Sequence, residues 1–324
     1  MRAPDSLSLL RIAGGLMVAL AIGRAAPPPP RTLLLDAALS GADVVAVGER
    51  GAIVRSSDNG RTWDVVACPA RATLTGVAFA TLAAPRTGWA VGHDAVILGT
   101  TDGGQTWAKS FQGENPNDSF LDVIALDAQR AIAVGAYGLF VTTANAGKTW
   151  SKKKISDDDV HLNRISRAAR GTLYLAGERG TLLRSTDQGL TWTKISAPYE
   201  GSFYGILPLD RGALLAHGLR GHVFHSADDG VNWRAVPAPA PALVATAVRL
   251  RGGTTVFAGQ SRTLFFNHAP GSALTASPTP PGQAIAELLE LPDGQLLGVG
   301  EAGAALLDLP TAIPGVKPHP MRAP

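Results

Sequence analysis

Cysteine, charge and long apolar segments are scarce in this chain of 324 residues. Its single cysteine, Cys68, excludes an intramolecular disulfide framework, and we interpret it as a small packing residue. Charged residues make up 17% of the sequence and the net charge is +3, with no run of Lys or Arg interleaved with aromatics. Nucleic acid is therefore not an expected partner. Helical periodicity is absent from the body of the chain, which argues against an α-helical domain.

An apolar run near the N-terminus, Ile12 to Ile22, is shorter than the roughly 20 residues of an ordinary membrane-spanning helix. It follows Arg2 and Arg11 and precedes GRAA and four prolines, which is the order of a secretory signal peptide. We predict a signal peptide over 1–26, a Pro-rich spacer over 27–31, and an exported, periplasmic or otherwise extracytoplasmic mature chain without a transmembrane helix. An uncleaved anchor or a mispredicted start is the alternative.

Glycine, in contrast, recurs regularly. A short apolar strand ends in Gly, and a tight turn, a second strand and a polar turn follow. The seven repeat glycines are Gly48, Gly92, Gly135, Gly177, Gly218, Gly259 and Gly300. A period near 40 residues with strand-length apolar runs predicts a β-propeller. We predict an all-β, seven-bladed propeller of four-stranded antiparallel blades over 32–309, followed by a disordered Pro-rich tail over 310–324.

The polar turn has the pattern Ser/Thr-x-Asp-x-Gly-x-Thr-Trp, in which the acidic or amide side chain accepts backbone N–H groups, the Gly tolerates positive φ and the Trp packs between sheets. The Asp (or Asn) and Trp positions of the five complete turns are Asp58 and Trp63, Asp102 and Trp107, Asn145 and Trp150, Asp187 and Trp192, and Asp228 and Trp233. The sixth repeat has Ala269 and Leu274 there, and the seventh has Pro310 and Gly315. Neither the four prolines nor the Pro-rich tail from Pro310 to Pro324 is typical of a closing strand, so we expect an incomplete, three-stranded last blade and an unusual ring closure.

This turn resembles the Asp box, or bacterial neuraminidase (BNR) repeat, of sialidases and of several non-enzymatic propellers. With the preceding Ala-Val-Gly strand, as in AVGERGAIVRSSDNGRTW ending at Trp63, the repeat is similar to that of the photosystem II assembly and stability factors. The resemblance covers roughly 31–309. It implies an exported, non-enzymatic propeller, without a cofactor, that captures a reaction-centre subunit while a membrane or envelope complex is built.

A sialidase-like glycoside hydrolase or a glycan-binding propeller is the alternative function. The hydrolase needs an Arg cluster, a Tyr nucleophile paired with Glu, and an acid at the funnel of the ring. The chain has four tyrosines, and the Phe/Tyr-Arg-Ile-Pro motif of sialidases is missing. Tyr199 and Glu200 are adjacent, but their position predicts a loop between blades. We therefore predict that the protein is not an enzyme and has no catalytic residues.

The turn after each repeat glycine supplies the candidate binding site. Arg50, Arg179 and Arg220 occupy equivalent places there, and Arg262 lies nearby in its own repeat. Pseudo-symmetry places these residues on one rim, where Arg side chains are suited to binding a protein partner. The alternative interpretation is that a solvated Arg simply suits a tight Arg-Gly turn. We expect the protein to act as a monomer.

Two further residue sets are weaker candidates. Counting back 13 residues from the repeat glycines gives a possible channel lining of mixed charge, whose charges we expect to pair with each other: Leu35, Asp122, Arg164, Gly205, Thr246 and Glu287. His222 and His225 differ by an odd number, so they project from opposite faces if both lie in one regular strand, and His217 aligns with core valines. We therefore predict no metal site. The charged segment 152–159 is interpreted as a solvated blade edge.

Overall fold

The computed structural model describes residues 31–80, 86–277 and 282–309. In these residues 27 strands form seven antiparallel sheets, in each of which the strand order follows the chain. Six sheets have four strands and the last has three, so the predicted seven-bladed propeller with an incomplete final blade is confirmed. The predicted leader, most of the spacer and the tail lie outside the described residues, and those assignments stay predictions.

The blades are numbered 1 to 7 in chain order. Blade 1 contains β1 (Leu34–Ser40), β2 (Asp43–Gly48), β3 (Ile53–Ser56) and β4 (Asp64–Val65). Blade 2 contains β5 (Leu74–Phe79), β6 (Gly88–Gly92), β7 (Val96–Thr100) and β8 (Ala108–Gln112). Blade 3 contains β9 (Phe120–Ala125), β10 (Ala131–Gly135), β11 (Phe140–Thr143) and β12 (Ser151–Lys152). Blade 4 contains β13 (Leu162–Arg167), β14 (Leu173–Gly177), β15 (Leu182–Ser185) and β16 (Thr193–Lys194).

The remaining strands belong to blades 5 to 7. Blade 5 contains β17 (Phe203–Pro208), β18 (Leu214–Gly218), β19 (Val223–Ser226) and β20 (Arg234–Val236). Blade 6 contains β21 (Val244–Arg249), β22 (Thr255–Gly259), β23 (Leu264–Asn267) and β24 (Thr275–Ala276). Blade 7 contains β25 (Ile285–Glu290), β26 (Leu296–Gly300) and β27 (Gly303–Leu307). The described helical elements are three-residue 3-10 turns, and none is long or apolar enough to cross a membrane.

Burial changes with strand position in the blade. The second strands, such as β10 with the sequence AIAVG, are buried at every residue except Asp43 at the start of β2, because neighbouring blades cover both of their faces. The outer strands β4, β12 and β16 are two residues long and exposed. Short, polar outer strands leave little edge for pairing with other chains. The charged segment 152–159 begins at such an edge, as the sequence predicts.

The repeat glycines end the second strands, and they are required by close packing rather than by φ. Gly48 and Gly135 have extended backbones, with φ of −172° and −170°. A Cβ added at any of the seven positions would lie 2.0–2.5 Å from the backbone oxygen of the residue just before the first strand of the same blade. These oxygens accept the N–H of the residue after the glycine; for example, the Leu33 carbonyl oxygen accepts the N–H of Glu49 at 3.0 Å. Only glycine allows the two chain segments to approach this closely.

Seven apolar clusters lie between neighbouring blades, and each repeat tryptophan joins the cluster shared with the preceding blade. Trp107 of blade 2 packs with Val45 and Val47 of blade 1, and Trp150 of blade 3 lies edge-on to Trp89 of blade 2 at 6.4 Å. In blade 6, Leu274 takes the tryptophan position and is buried. The tryptophans therefore connect blades, as expected from the sequence.

The ring closes by packing between blades 1 and 7. Trp63 of blade 1 lies in one cluster with Leu297 and Val299 of blade 7. Arg61 Nη2 donates to Asp293 Oδ2 and Gln295 Oε1 at 3.1 Å each. In the described residues no blade combines strands from both ends of the chain. Side-chain contacts therefore hold this joint, which accounts for the absence of a closing strand in the sequence.

The Asp-box side chain organises its turn through several hydrogen bonds. Asp102 Oδ1 accepts the backbone N–H groups of Gln105 and Thr106, both at 3.0 Å, and Oδ2 accepts the Thr106 hydroxyl at 2.6 Å. Trp107 Nε1 donates to the carbonyl of Gly104, whose φ is +84°. In blade 3, Asn145 Oδ1 accepts one backbone N–H group, from Thr149 at 3.0 Å, and Nδ2 donates to the Thr149 hydroxyl at 2.8 Å.

These hydrogen bonds make the stability of the turns depend on pH. Burial opposes ionisation of Asp102, but the hydrogen bonds from Thr106 outweigh it and lower its pKa to about 2, and the Thr191 hydroxyl does the same for the pKa of Asp187. A carboxyl group with a lowered folded-state pKa stabilises the fold above its unfolded pKa, and this contribution is lost as pH falls through the folded pKa. The stabilisation by both groups should therefore disappear between about pH 4 and 2.

We expect the Asp102→Asn, Asp187→Asn double variant to fold, because Asn145 already serves in blade 3. Asparagine does not titrate, so the stability advantage of the wild type at pH 7 should shrink as pH falls and vanish by about pH 2. Urea unfolding followed by circular dichroism at a series of pH values measures this difference. Asp64→Asn, on the exposed β4, is the control. Parallel wild-type and double-variant curves below pH 4 would contradict the assigned role of these carboxylates.

Candidate functional site on the turn face and the hub

The turns that join the second and third strands of the blades lie on one face of the ring, which we call the turn face. In blades 1 to 6 the second residue after the repeat glycine has a left-handed backbone, with φ between 51° and 56°. These residues are Arg50, Asp94, Tyr137, Arg179, Arg220 and Ser261. The three predicted rim arginines therefore hold equivalent positions, and all three are exposed.

The predicted rim arginines do not all lie in neighbouring blades. Arg179 and Arg220 lie in neighbouring blades 4 and 5, whereas Arg50 lies in blade 1. Nothing is described for the side chain of Arg262. Tyr137, in the adjoining blade 3, is 68% exposed and completes a continuous series, which we call the Tyr137–Arg179–Arg220 arc. The sequence interpretation missed Tyr137, although aligning the residue before the turn glycine in every repeat finds it.

Side chains beneath the arc pack against it and against each other. The Tyr137 ring stands edge-on to His161, with centroids 4.7 Å apart, and His161 Nδ1 lies 3.6 Å from Glu178 Oε1. Tyr199 packs on His222 at 4.4 Å. Tyr199 is thus part of an aromatic cluster between blades, in the loop that the sequence predicts. It is not positioned as a nucleophile at the funnel of the ring.

Four of the six charged residues in the nearby segment 152–159 form ion pairs. Lys154 Nζ lies 2.8 Å from Asp157 Oδ1, and Lys194 Nζ lies 3.5 Å from Asp158 Oδ2. Lys152 Nζ lies 3.6 Å from Asp118 Oδ2. Exposed pairs of this kind contribute little to stability. This arrangement fits the solvated edge proposed from the sequence better than a docking patch.

The second candidate region is the hub, where the first strands of the blades surround the central axis. In every blade, one residue of the first strand pairs with the residue just before the repeat glycine, as Asp36 does with Val47 and Gly76 with Val91. The seven hub residues are Asp36, Gly76, Asp122, Arg164, Gly205, Thr246 and Glu287. Leu35 was therefore the wrong choice in blade 1. Asp36 takes the place because the β1–β2 hairpin is one residue shorter than the hairpins of blades 3 to 7.

The hub charges pair with each other, as expected. Arg164 Nη1 donates to Glu287 Oε2 at 2.5 Å, and Arg164 Nε lies 4.0 Å from Asp122 Oδ2. Thr246 Oγ1 donates to Glu287 Oε1 at 2.7 Å. Burial raises the pKa of Asp122 to about 6, and burial together with Glu287 raises the pKa of Asp36. Burial opposes the charge of Arg164, but Glu287 and the two aspartates outweigh it and raise its pKa.

The hub chemistry fits neither a metal centre nor a sialidase site. Within the described ranges, no group of three or more His, Cys, Asp or Glu side chains is placed to hold a metal ion. His217 lies in the core, as the sequence indicates, where its Nδ1 contacts the carbonyl oxygen of Val244 at 3.1 Å. The hub supplies an arginine and carboxylates, but no tyrosine occupies any of its seven positions. Tyr204 precedes the hub residue Gly205 on β17.

Comparison with known proteins places this architecture in a family. The model of the family described as "Photosynthesis system II assembly factor YCF48" matches residues 55–158 and 114–278. The chloroplastic photosystem II stability/assembly factor HCF136 of Oryza sativa subsp. japonica is 26% identical over 188 residues, covering 55% of this chain and 43% of the relative. Its Arabidopsis thaliana counterpart is 26% identical over 172 residues, covering 50% and 41%. The chain spans less than half the length of these relatives.

Two of the solved structures that share the fold belong to YCF48 proteins. A structure described as YCF48 bound to D1 peptide has a TM-score of 0.71 at 18% identity, covering 86% of this chain and 93% of that chain. YCF48 from Cyanidioschyzon merolae has a TM-score of 0.71 at 17% identity, covering 86% and 96%. The matched family segments run through the blades whose repeat glycines and Asp boxes are described above. From its sequence and fold, the chain belongs to the YCF48 family of photosystem II assembly factors.

Proposed function

We propose that this protein is a non-enzymatic, exported scaffold that binds a protein partner during the assembly of a membrane complex, as the photosystem II assembly factors of its family are named for doing. The match to the family model over most of the blades carries this proposal. A structural neighbour that holds a D1 peptide indicates that the fold suits peptide binding. The leader-like residues 1–26 support export, and we propose that the protein acts as a monomer.

We propose the turn face as the binding surface, with the Tyr137–Arg179–Arg220 arc at its centre and Arg50 and Arg262 as outlying members. Arg and Tyr dominate the energetically important positions of protein interfaces. A guanidinium binds carboxylates in a bidentate manner and stacks on aromatic rings. The left-handed turn projects Tyr137, Arg179 and Arg220 from rigid blades, so little ordering is needed on binding.

The test is the binding of a fluorescent D1 peptide, followed by anisotropy. We expect Arg179→Glu with Arg220→Glu to weaken binding at least about tenfold, because charge reversal at the centre of an interface typically costs more than 1 kcal/mol. Adding Arg50→Glu should have a smaller further effect, since Arg50 lies in blade 1. Circular dichroism and thermal unfolding check that the variants remain folded.

The matched control is Arg170→Glu with Arg211→Glu. These exposed arginines belong to the same two blades but lie in the turns between first and second strands, on the opposite face of the ring. Unchanged peptide binding by the folded Arg179, Arg220 variant would reject the arc as the binding surface. Turnover of a fluorogenic sialoside that Tyr204→Phe abolishes would instead support the glycosidase alternative and contradict the non-enzymatic role.

A further inference from the structure

The hub concentrates negative charge that its single cation does not balance. Asp36, Asp122 and Glu287 come from blades 1, 3 and 7, and Arg164 of blade 4 is the one cation among the seven hub residues. The other hub residues are two glycines and a threonine, which carry no charge. With all three carboxyl groups ionised, the cluster has a net charge of −2. It lines a cavity of about 250 Å³ and is largely shielded from solvent.

The carboxylates cannot move apart, because hydrogen bonds to neighbouring blades hold them. Asp36 accepts the N–H of Ala37 at 2.9 Å and of Val77, in blade 2, at 2.7 Å. Asp122 accepts the N–H of Val123 and of Ile165, in blade 4, both at 2.8 Å. Each aspartate therefore connects two blades with its two oxygen atoms.

Glu287 connects a further pair of blades and spans the hub. It accepts the Thr246 hydroxyl from blade 6 and, across the cavity, the guanidinium of Arg164. Gly76 leaves the space that Asp122 uses, since a Cβ there would lie 3.3 Å from Asp122 Oδ1. The fixed geometry leaves protonation as the direct way to reduce the repulsion.

A buried histidine with an open ring nitrogen faces the same cavity. His217 is 2% exposed and lines the cavity above Gly205, where an added Cβ would lie 2.4 Å from its Nε2. Its Nδ1 is used by the Val244 carbonyl, so this nitrogen carries the proton and Nε2 is an acceptor. No described residue donates to Nε2. Burial, with Arg164, lowers the pKa of His217 to about 4, so His217 adds no positive charge near neutral pH.

We propose that the hub is a proton-binding site: one carboxyl group of the Asp36, Asp122 and Glu287 set takes up a proton from solvent in mildly acidic solution, and this uptake stabilises the closed ring. The proton adds to a carboxylate oxygen and no other bond breaks. Among the residues of all seven blades, the titratable and charged groups that face the site are five: Asp36, Asp122, Arg164, His217 and Glu287.

The direction of the pH dependence follows from linkage. The pKa of Asp122 is raised to about 6 in the fold, and that of Asp36 is also raised. A carboxyl group with a raised folded-state pKa contributes stability that is complete below its unfolded pKa and is lost as pH rises through the folded pKa. This contribution therefore declines between about pH 4 and pH 7, opposite to that of the Asp boxes and of His217. Comparing each hub variant with the wild type separates the hub contribution from these opposing contributions.

The test combines two measurements on the full chain. Carbon-13 NMR of the side-chain carboxyl groups should show a hub carboxyl titrating near pH 6 in the wild type. In Arg164→Met this midpoint should rise by more than one unit, since the neighbouring cation favours the ionised form. Thermal unfolding provides the second measurement: the melting temperature of Asp122→Asn minus that of the wild type should increase by on the order of 5 °C from pH 4 to pH 7. The same difference for Asp64→Asn should stay constant.

Two results would overturn the proposal. One is a wild type in which no Asp or Glu carboxyl carbon titrates with a midpoint above pH 5. The other is that neither Asp36→Asn nor Asp122→Asn shows a melting-temperature difference from the wild type that changes with pH. If these variants do not fold, the wild-type NMR titration decides alone. Neither measurement involves the peptide, so the outcome is separate from that of the proposed binding function.

Discussion

Replacing Gly92 by alanine should destabilise the propeller by at least about 3 kcal/mol, the upper part of the range for overpacking a rigid site. The added Cβ would lie 2.1 Å from the carbonyl oxygen of Thr73 and 2.9 Å from Cα of Leu74. Both are backbone atoms, so no side-chain rotation relieves the clash. The same oxygen accepts the N–H of His93 at 3.0 Å, and moving it away would break that hydrogen bond.

Gly99→Ala in the same blade is the matched control. Its Cβ would meet Ser110 Cβ at 3.5 Å, which is ordinary van der Waals contact, and φ at this position is not in the left-handed region. We expect a change below about 1 kcal/mol there. Urea unfolding followed by tryptophan fluorescence compares both variants with the wild type. Equal effects at the two sites would show that the close approach at the repeat glycine is not what the fold requires.

Truncating Trp107 to alanine should cost about 3 to 5 kcal/mol, the range for removing a buried aromatic side chain. The indole is 8% exposed and contacts the core between blades 1 and 2. It also lies edge-on to Phe79, with ring centroids 6.1 Å apart, and donates from Nε1 to the Gly104 carbonyl at 3.1 Å. The variant loses this packing and leaves the carbonyl without that donor.

Leu190→Ala provides the contrast, because Leu190 lies in the equivalent polar turn of blade 4 but is 70% exposed. Its loss should change the free energy of unfolding by less than about 1 kcal/mol. Urea midpoints, with coincident circular dichroism and fluorescence transitions as a two-state check, measure both. A similarly small effect at Trp107 and at a second repeat tryptophan such as Trp63 would mean that these residues do not hold the blades together.

The fold could be predicted from the sequence because the geometry of the blade fixes the spacing of the repeated residues. Each repeat glycine is required by a contact inside its own blade, and each Asp box satisfies its own turn. These local constraints recur every 41 to 44 residues and are visible without any tertiary information. The Pro-rich sequence after the last repeat, which is not typical of a strand, likewise indicated the three-stranded blade that the structure has.

The sites were predicted less completely, because they depend on relations between blades. Counting back from Gly48 gave Leu35, since a hairpin shortened by one residue cannot be recognised from the repeat period alone. Tyr137 was missed because only arginines were considered at the turn position. Asp36 and Asp122 accept hydrogen bonds from amides of the next blade, 41 and 43 positions away in the sequence. Such pairs cannot be recognised from a local sequence motif.

The left-handed turn residues of blades 1 to 6 share one backbone conformation but differ in chemistry. Three are basic, one is acidic, and the remaining two are an uncharged tyrosine and an uncharged serine. Since the blade does not depend on the identity of that side chain, substitutions there can accumulate without a folding penalty beyond the one common to the turn. The ring therefore has a set of interchangeable positions on a fixed frame. Related proteins could acquire different partners by exchanging single residues at these places while every blade keeps its shape.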